Sequence, residues 1–341
     1  MMKIYKITFL AAFMAVGVLR AQDIHFSQYN AAPLALNPAL TGVNSCDWRA
    51  GLSYRNQWAS VTTPYVTYEA FFDAPVVKNI GGASKLTAGL LLFNDVSGDG
   101  NLSNLSIMAS SAFVLGLGGR SNHNLSIGLQ GGFMQKSLEF DQLKWPNQWD
   151  GDEFSSTFNS NPEPNWTGDN IGRFNMSAGL AYHNEVSKSF NITGGFAAFN
   201  LISPKESFFA DEENKLGMRV VGHLKAGITF GGQFGVIPSV LYQAQSGAKE
   251  IVVGSDFGYY LNNANFPATF FLGAAYRLDD AVIASVGMDY KNFRFGASYD
   301  INTSTLKEAS AGKGGFELSL VYTGCILPVI PTHYVMPCPR Y

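Results

Sequence analysis

The chain has 341 residues, of which 14% are charged and 13% aromatic, with 36 glycines and a formal charge of −3. A mean hydropathy of +0.03 is too high for a disordered chain and too low for a helical membrane bundle. Beyond the N-terminal segment, no run approaches the ~20 apolar residues that a membrane-spanning helix requires. An alternating β-protein in an apolar medium fits what is left.

Lys3 and Lys6 precede an apolar stretch, Ile7 to Leu19, and Ala21 is a small residue suited to a cleavage point. Residues 1–21 therefore read as a signal peptide, and the protein as exported. Removing them leaves 20 basic and 26 acidic residues, a charge of −6. That balance argues against nucleic acid as a partner, since nucleic-acid binding calls for a basic stripe. Residues 22–45 do not alternate. Pro33, Asn37-Pro38 and Thr41-Gly42 mark turns and extended backbone, so this segment is expected at the periplasmic side or inside a lumen.

From Cys46 to residue 323 the pattern has a period of two. Trp48, Ala50, Leu52 and Tyr54 alternate with Arg49, Ser53 and Arg55. Val66, Tyr68, Ala70 and Phe72 alternate with Thr67, Glu69 and Asp73. The same pattern recurs at Leu125–Phe133, Phe174–His183, Val282–Met288, Phe293–Tyr299 and Phe316–Tyr322. Strict alternation gives each strand one apolar and one polar face. Apolar faces that end in Tyr, Phe or Trp suit the aromatic girdles of a membrane barrel. The expectation is an all-β, transmembrane antiparallel β-barrel of about 14 strands with irregular N- and C-terminal segments.

Short connections at Asn184–Ser189, Gly231–Gly232 and Asp289–Asn292 fall on one side, with long ones at Leu138–Gly172 and Ile202–Gly217 on the other. This matches short periplasmic turns and longer outer loops, with both termini periplasmic. The Pro75–Lys85 connection reads as longer than that rule expects. The Leu138–Gly172 segment carries Trp145, Trp149, Trp166, Asp150, Asp152 and Glu153, and is expected to cover the pore, contact a partner or fold over the rim as a polar surface loop.

Catalytic and metal signatures are sparse. No G-x-S-x-G elbow, H-E-x-x-H or C-x-x-C occurs, and His25, His123, His183, His223 and His333 are scattered singly. Gly116, Gly118 and Gly119 are followed by Ser121 where a dinucleotide fingerprint needs glycine, so a tight turn is expected there. Asp95, Ser97, Asp99 and Gly100 begin like a calcium loop, but Ser106 stands in place of its bidentate Glu. No catalytic residue, cofactor or metal site is assigned. Arg49, Arg55, Glu69 and Asp73 share the polar faces of the first two strands and are expected to form ion pairs inside the barrel. Cys46 precedes the first strand and Cys325 follows the last, so barrel closure makes a Cys46–Cys325 disulfide geometrically possible, with Cys338 a rival partner for either.

After Tyr322, Pro328, Pro331, Pro337 and Pro339 argue against regular structure, and residues 324–341 read as an irregular tail. The stretch Gln22-Asp23-Ile24-His25-Phe26-Ser27-Gln28-Tyr29, then Pro33-Leu34 and Leu36-Asn37-Pro38-Ala39-Leu40-Thr41-Gly42, resembles the mature N-terminus of the PorP/SprF family. Tyr54-Arg55-Asn56-Gln57-Trp58, Pro64–Tyr68, Phe72-Asp73-Ala74-Pro75 and the ending Cys338-Pro339-Arg340-Tyr341 continue the resemblance.

The resemblance implies a non-enzymatic outer-membrane barrel of the type IX secretion system in a Gram-negative bacterium. Members assist secretion or surface attachment of partner proteins such as adhesins, or anchor the translocon to periplasmic peptidoglycan-binding components. Expected surroundings are outer-membrane lipid and other secretion components, and the adhesin connection extends to gliding motility. Asp23, His25, Phe26, Ser27, Gln28, Tyr29, Asn37 and Pro38, with Cys338, Pro339, Arg340 and Tyr341, are the candidate partner-binding residues. Exposed aromatics there, Phe26, Tyr29 and Tyr341, would suit partner capture. A passive pore or small-molecule transporter is the alternative.

Overall fold

The computed structural model describes residues 25–325 apart from 45, 62, 118–122, 155–167, 211–213, 262, 264 and 265. The expected signal peptide, Gln22, Asp23, Ile24, Trp166 and the tail from residue 326, with Cys338 to Tyr341, lie outside the described residues.

Fourteen antiparallel strands close into one barrel in sequence order. They are β1 Trp48–Gln57, β2 Tyr65–Ile80, β3 Ser84–Ser97, β4 Leu102–Leu117 and β5 His123–Ser137. Next come β6 Asn170–Ser187, β7 Phe190–Phe199, β8 Arg219–Phe230, β9 Phe234–Gln245 and β10 Ala248–Leu261. The last four are β11 Ala268–Arg277, β12 Ala281–Tyr290, β13 Phe293–Asn302 and β14 Lys313–Gly324. The barrel shuts where β1 pairs with β14, from Trp48 opposite Gly324 to Gln57 opposite Gly315.

The alternation resolves into two faces. Leu52, Tyr68, Phe72, Ile127, Leu129, Phe196, Phe257 and Leu272 point outward and are exposed, as lipid-facing residues must be. Arg49, Arg55, Thr67, Glu69, Asp73, Gln130, Asp300 and Glu317 point inward and are buried. At the end that carries the termini, Trp48 packs on Tyr322 with ring centroids 4.9 Å apart, and Phe293 on the same Tyr322 at 4.7 Å. Phe234–Tyr259 at 5.4 Å and Phe266–Tyr290 at 4.6 Å continue the ring on other strands, as an interfacial girdle does.

The connections fix the orientation. At the termini end β8 and β9 are joined through Gly231 and Gly232, with φ of 61° and 69°, left-handed backbone that suits a tight hairpin. The opposite end carries the long connections between β5 and β6 and between β7 and β8, and so faces the cell exterior. The Pro75–Lys85 connection is a turn of Gly81–Ala83 rather than a long loop, because β2 continues to Ile80. Its pairing with β3 shifts register between Pro75 and Val77, an irregularity that accommodates a residue lacking an N–H. Strands β2 and β4 have 16 residues and β6 has 18. Crossing the bilayer takes about 9–11, so this wall extends beyond the hydrocarbon.

Candidate functional site

The lumen is occupied by the chain's own N-terminal segment. Short helical turns lie at Tyr29–Ala31, Pro33–Leu36 and Pro38–Leu40, and Pro33 and Pro38 open the second and third where no N–H is required. Leu34 packs against Phe71, Leu91, Met108 and Val321, and Leu36, Ala39 and Leu40 against Ala181, Phe199, Val221 and Leu241. A short apolar core is thereby built inside an otherwise polar tube.

The segment descends from the outer half of the lumen to the periplasmic end. At the top His25 Nε2 lies 2.8 Å from Glu250 Oε2. The backbone N–H groups of Ser27 and Gln28 donate to the two carboxylate oxygens of Glu317 at 2.6 and 2.8 Å. The Ser27 hydroxyl donates to Asp300 at 2.8 Å and accepts from Arg55 at 3.0 Å and Arg277 at 2.6 Å. Arg55 also pairs with Glu317, directly opposite across the closing seam, and with Asp300 at 3.2 Å. Two arginines and three carboxylates, from β1, β10, β11, β13 and β14, meet there.

Lower down the contacts are neutral. Asn37 donates to the Leu180 and Phe196 carbonyls at 3.1 and 3.3 Å, lies 3.1 Å from His223 Nε2, and accepts from Ala39 N–H at 2.9 Å. Ser126 and Gln130 donate to the Ala39 and Leu34 carbonyls. The wall beneath is cut back to glycine: a Cβ on Gly128 would stand 2.4 Å from the Pro38 carbonyl, and one on Gly179 would meet Asn37 Oδ1. At the periplasmic end Asp73 accepts from Gly42 N–H at 2.8 Å and from Arg49 at 2.5 Å. Lys85 and Thr87 donate to the Gly42 and Thr41 carbonyls. Cys46 and Cys325 are disulfide-bonded there, with Cα atoms 4.7 Å apart.

Of the residues singled out from sequence, His25, Phe26, Ser27, Gln28, Tyr29, Asn37 and Pro38 all lie within the barrel. Phe26 and Tyr29, expected to be exposed, are 6% and 8% accessible, because the wall supplies their apolar partners. Burial pushes the Tyr29 phenol up to about 12, against the lowering effect of its hydrogen bond to Ser239, so it stays a donor to that hydroxyl at 2.9 Å. Arg49 and Asp73 form the expected ion pair, while Arg55 reaches across to β13 and β14. Glu69 is left with both carboxylate oxygens buried and no hydrogen-bond partner among the described residues. Asp95 accepts from Thr67, and no group of three His, Cys, Asp or Glu among the described residues is placed to hold a metal.

Sequence reading missed Glu250, Arg277, Asp300 and Glu317. Each is a single charge on an alternating strand, and its proximity to His25 or Ser27 is created only by closure.

The profile of the type IX secretion system membrane protein PorP/SprF family matches residues 18–322. The chain belongs to the PorP/SprF family. It is an outer-membrane barrel of a Gram-negative bacterium and a type IX secretion component. The stretches that carry the resemblance meet one another in space: Arg55 holds Ser27, and Asp73 holds Gly42.

No curated protein matches the chain. Among solved structures it is similar to the toluene transporter TbuX of Ralstonia pickettii, with 11% identity over 86% of this chain and 92% of that one, at a TM-score of 0.47. The toluene transporter TodX of Pseudomonas putida is similar with 11% identity over 85% and 93%, at 0.46. A Pseudomonas aeruginosa FadL homologue gives 10% identity over 84% and 92%, at 0.43.

Proposed function

We propose that this PorP/SprF protein is a sealed, non-enzymatic barrel that assists secretion or surface attachment of a partner protein such as an adhesin. The outer loops would meet that partner. The disulfide-linked periplasmic end would meet the translocon or a peptidoglycan-binding component. The plug is the observation that supports this reading. Its backbone is bonded to the wall at both ends, and its apolar side chains pack into two clusters on different parts of the wall. A lumen filled by a covalently tethered segment weighs against the passive pore or small-molecule transporter, and it moves partner contact to the rims.

Crosslinking in native outer membranes followed by mass spectrometry tests the proposal. Recovery of secretion components or one large surface protein supports it. Recovery of the barrel alone at good yield, with steady single-channel conductance from the purified protein, overturns it in favour of the pore.

A further inference from the structure

Seven acidic residues and a single lysine, Lys144, lie between Leu138 and Asp169, a net charge of −6 in a chain whose total is −3. Without residues 1–21 the chain carries −6, so the rest of the exported protein is net neutral and its net negative charge lies in the connection between β5 and β6. The same stretch holds three of the five tryptophans. Trp149 and Phe154 are 48% and 46% exposed in this outer connection. They are paired as bridge partners, with ring centroids 5.1 Å apart, and the exposed turn Asp150–Glu153 lies between them.

We infer that the Trp149–Phe154 pair and its acidic surround form a docking surface for a basic segment of a protein partner. This rests on the proposed function only for the partner's being a secreted protein. The surface already displays the contact on a small scale: the Lys144 ammonium lies 5.5 Å from the centroid of the Phe154 ring. A cation over an aromatic face is attracted by the ring quadrupole, and carboxylates alongside add Coulomb attraction. Asp152 and Glu153 are exposed in the turn between the two rings.

The platform is held in place before any partner arrives. Leu138 N–H donates to the Asp169 carbonyl at 2.9 Å and Glu139 N–H to the Gly100 carbonyl at 2.8 Å. Phe140 stacks on Trp145 at 5.0 Å. The Asp150 carboxylate accepts from the N–H groups of Asp152 and Glu153 at 2.9 and 2.8 Å, which holds its carboxyl below the usual carboxylate range. An ordered platform loses less conformational entropy on binding. A divalent cation is the poorer occupant, since Asp150 is engaged with backbone N–H groups and no metal-holding group exists among the described residues.

The test uses the full-length protein in lipid nanodiscs and a short alternating lysine–glycine peptide, with a glutamate–glycine peptide and a neutral oligosaccharide as controls. Trp149→Ala leaves the charge unchanged and is expected to weaken lysine-peptide binding about threefold. Asp152→Asn combined with Glu153→Gln is expected to weaken it about fivefold and to flatten its salt dependence. Heat-modifiable gel migration reports that each variant barrel is folded. Equal binding by parent and both variants overturns the inference, as does binding of the oligosaccharide or the glutamate peptide in place of the lysine peptide. Loop-dependent peptide binding with no secreted protein recovered by native crosslinking leaves the docking surface standing and sinks the secretion reading; the opposite pair of results does the reverse.

Discussion

Around Asn37–Ala39 the plug is seated by shape, and around His25–Gln28 it is seated by charge. The lower seat uses neutral hydrogen bonds and a wall trimmed to Gly128 and Gly179, so that backbone packs on backbone. The upper seat uses the Glu250, Arg277, Asp300, Glu317 and Arg55 side chains, which converge on two backbone N–H groups, a hydroxyl and an imidazole. Shape complementarity fails when volume changes. A buried ionic network fails when one partner is removed, because the remaining charge is left without compensation. The two ends should therefore respond to different substitutions.

The largest effect is expected at the upper seat. Glu317→Ala leaves the Ser27 and Gln28 N–H groups without their acceptor and removes one of the two carboxylates on Arg55, and should destabilise the barrel by about 3–5 kcal/mol. Denaturant titration in detergent measures it, and a loss under ~1 kcal/mol would show that the network is not coupled to stability. Glu69→Leu is the internal control. It removes a carboxylate that has no partner, so it should be neutral within about 1 kcal/mol or stabilising.

Next is the covalent tie at the periplasmic end. Replacing Cys46 and Cys325 together by Ser should cost about 2–4 kcal/mol, read as a lower unfolding midpoint. Identical midpoints with and without reductant for the parent protein would contradict this.

The lower seat should then respond to volume. Gly128→Ala places a methyl against the Pro38 carbonyl and should cost about 1–3 kcal/mol, with conductance appearing in planar bilayers if the plug is pushed aside. Silent bilayers together with parent stability would mean that the wall yields instead.

The smallest effect belongs to the lipid face. Leu272→Ala, at a residue 66% exposed to the bilayer, should stay within about 0.5 kcal/mol, because lipid tails are as apolar as leucine.

Much of the barrel was legible before any coordinates. A period of two, with apolar and polar faces and aromatic strand ends, dictates strands that present one face to lipid, and turn residues mark where they reverse. The Arg49–Asp73 pair was legible too, since these residues stand directly opposite on adjacent hairpin strands. Arg55 was not, because its partners Asp300 and Glu317 lie 245 and 262 residues away. The Pro75 register shift was equally hidden: a proline signals an interrupted ladder without saying whether the strand ends or continues past it.

The sequence by itself determined an exported, alternating chain with a proline-punctuated N-terminal segment and cysteines flanking the first and last strands. It did so because side-chain direction in a strand is strictly local. Only the tertiary structure decided that the N-terminal segment occupies the lumen and that His25 to Gln28 are held at the outer half by side chains from five strands. Those contacts join residues whose separation along the chain carries no periodic signal, and they exist only once β1 has closed on β14.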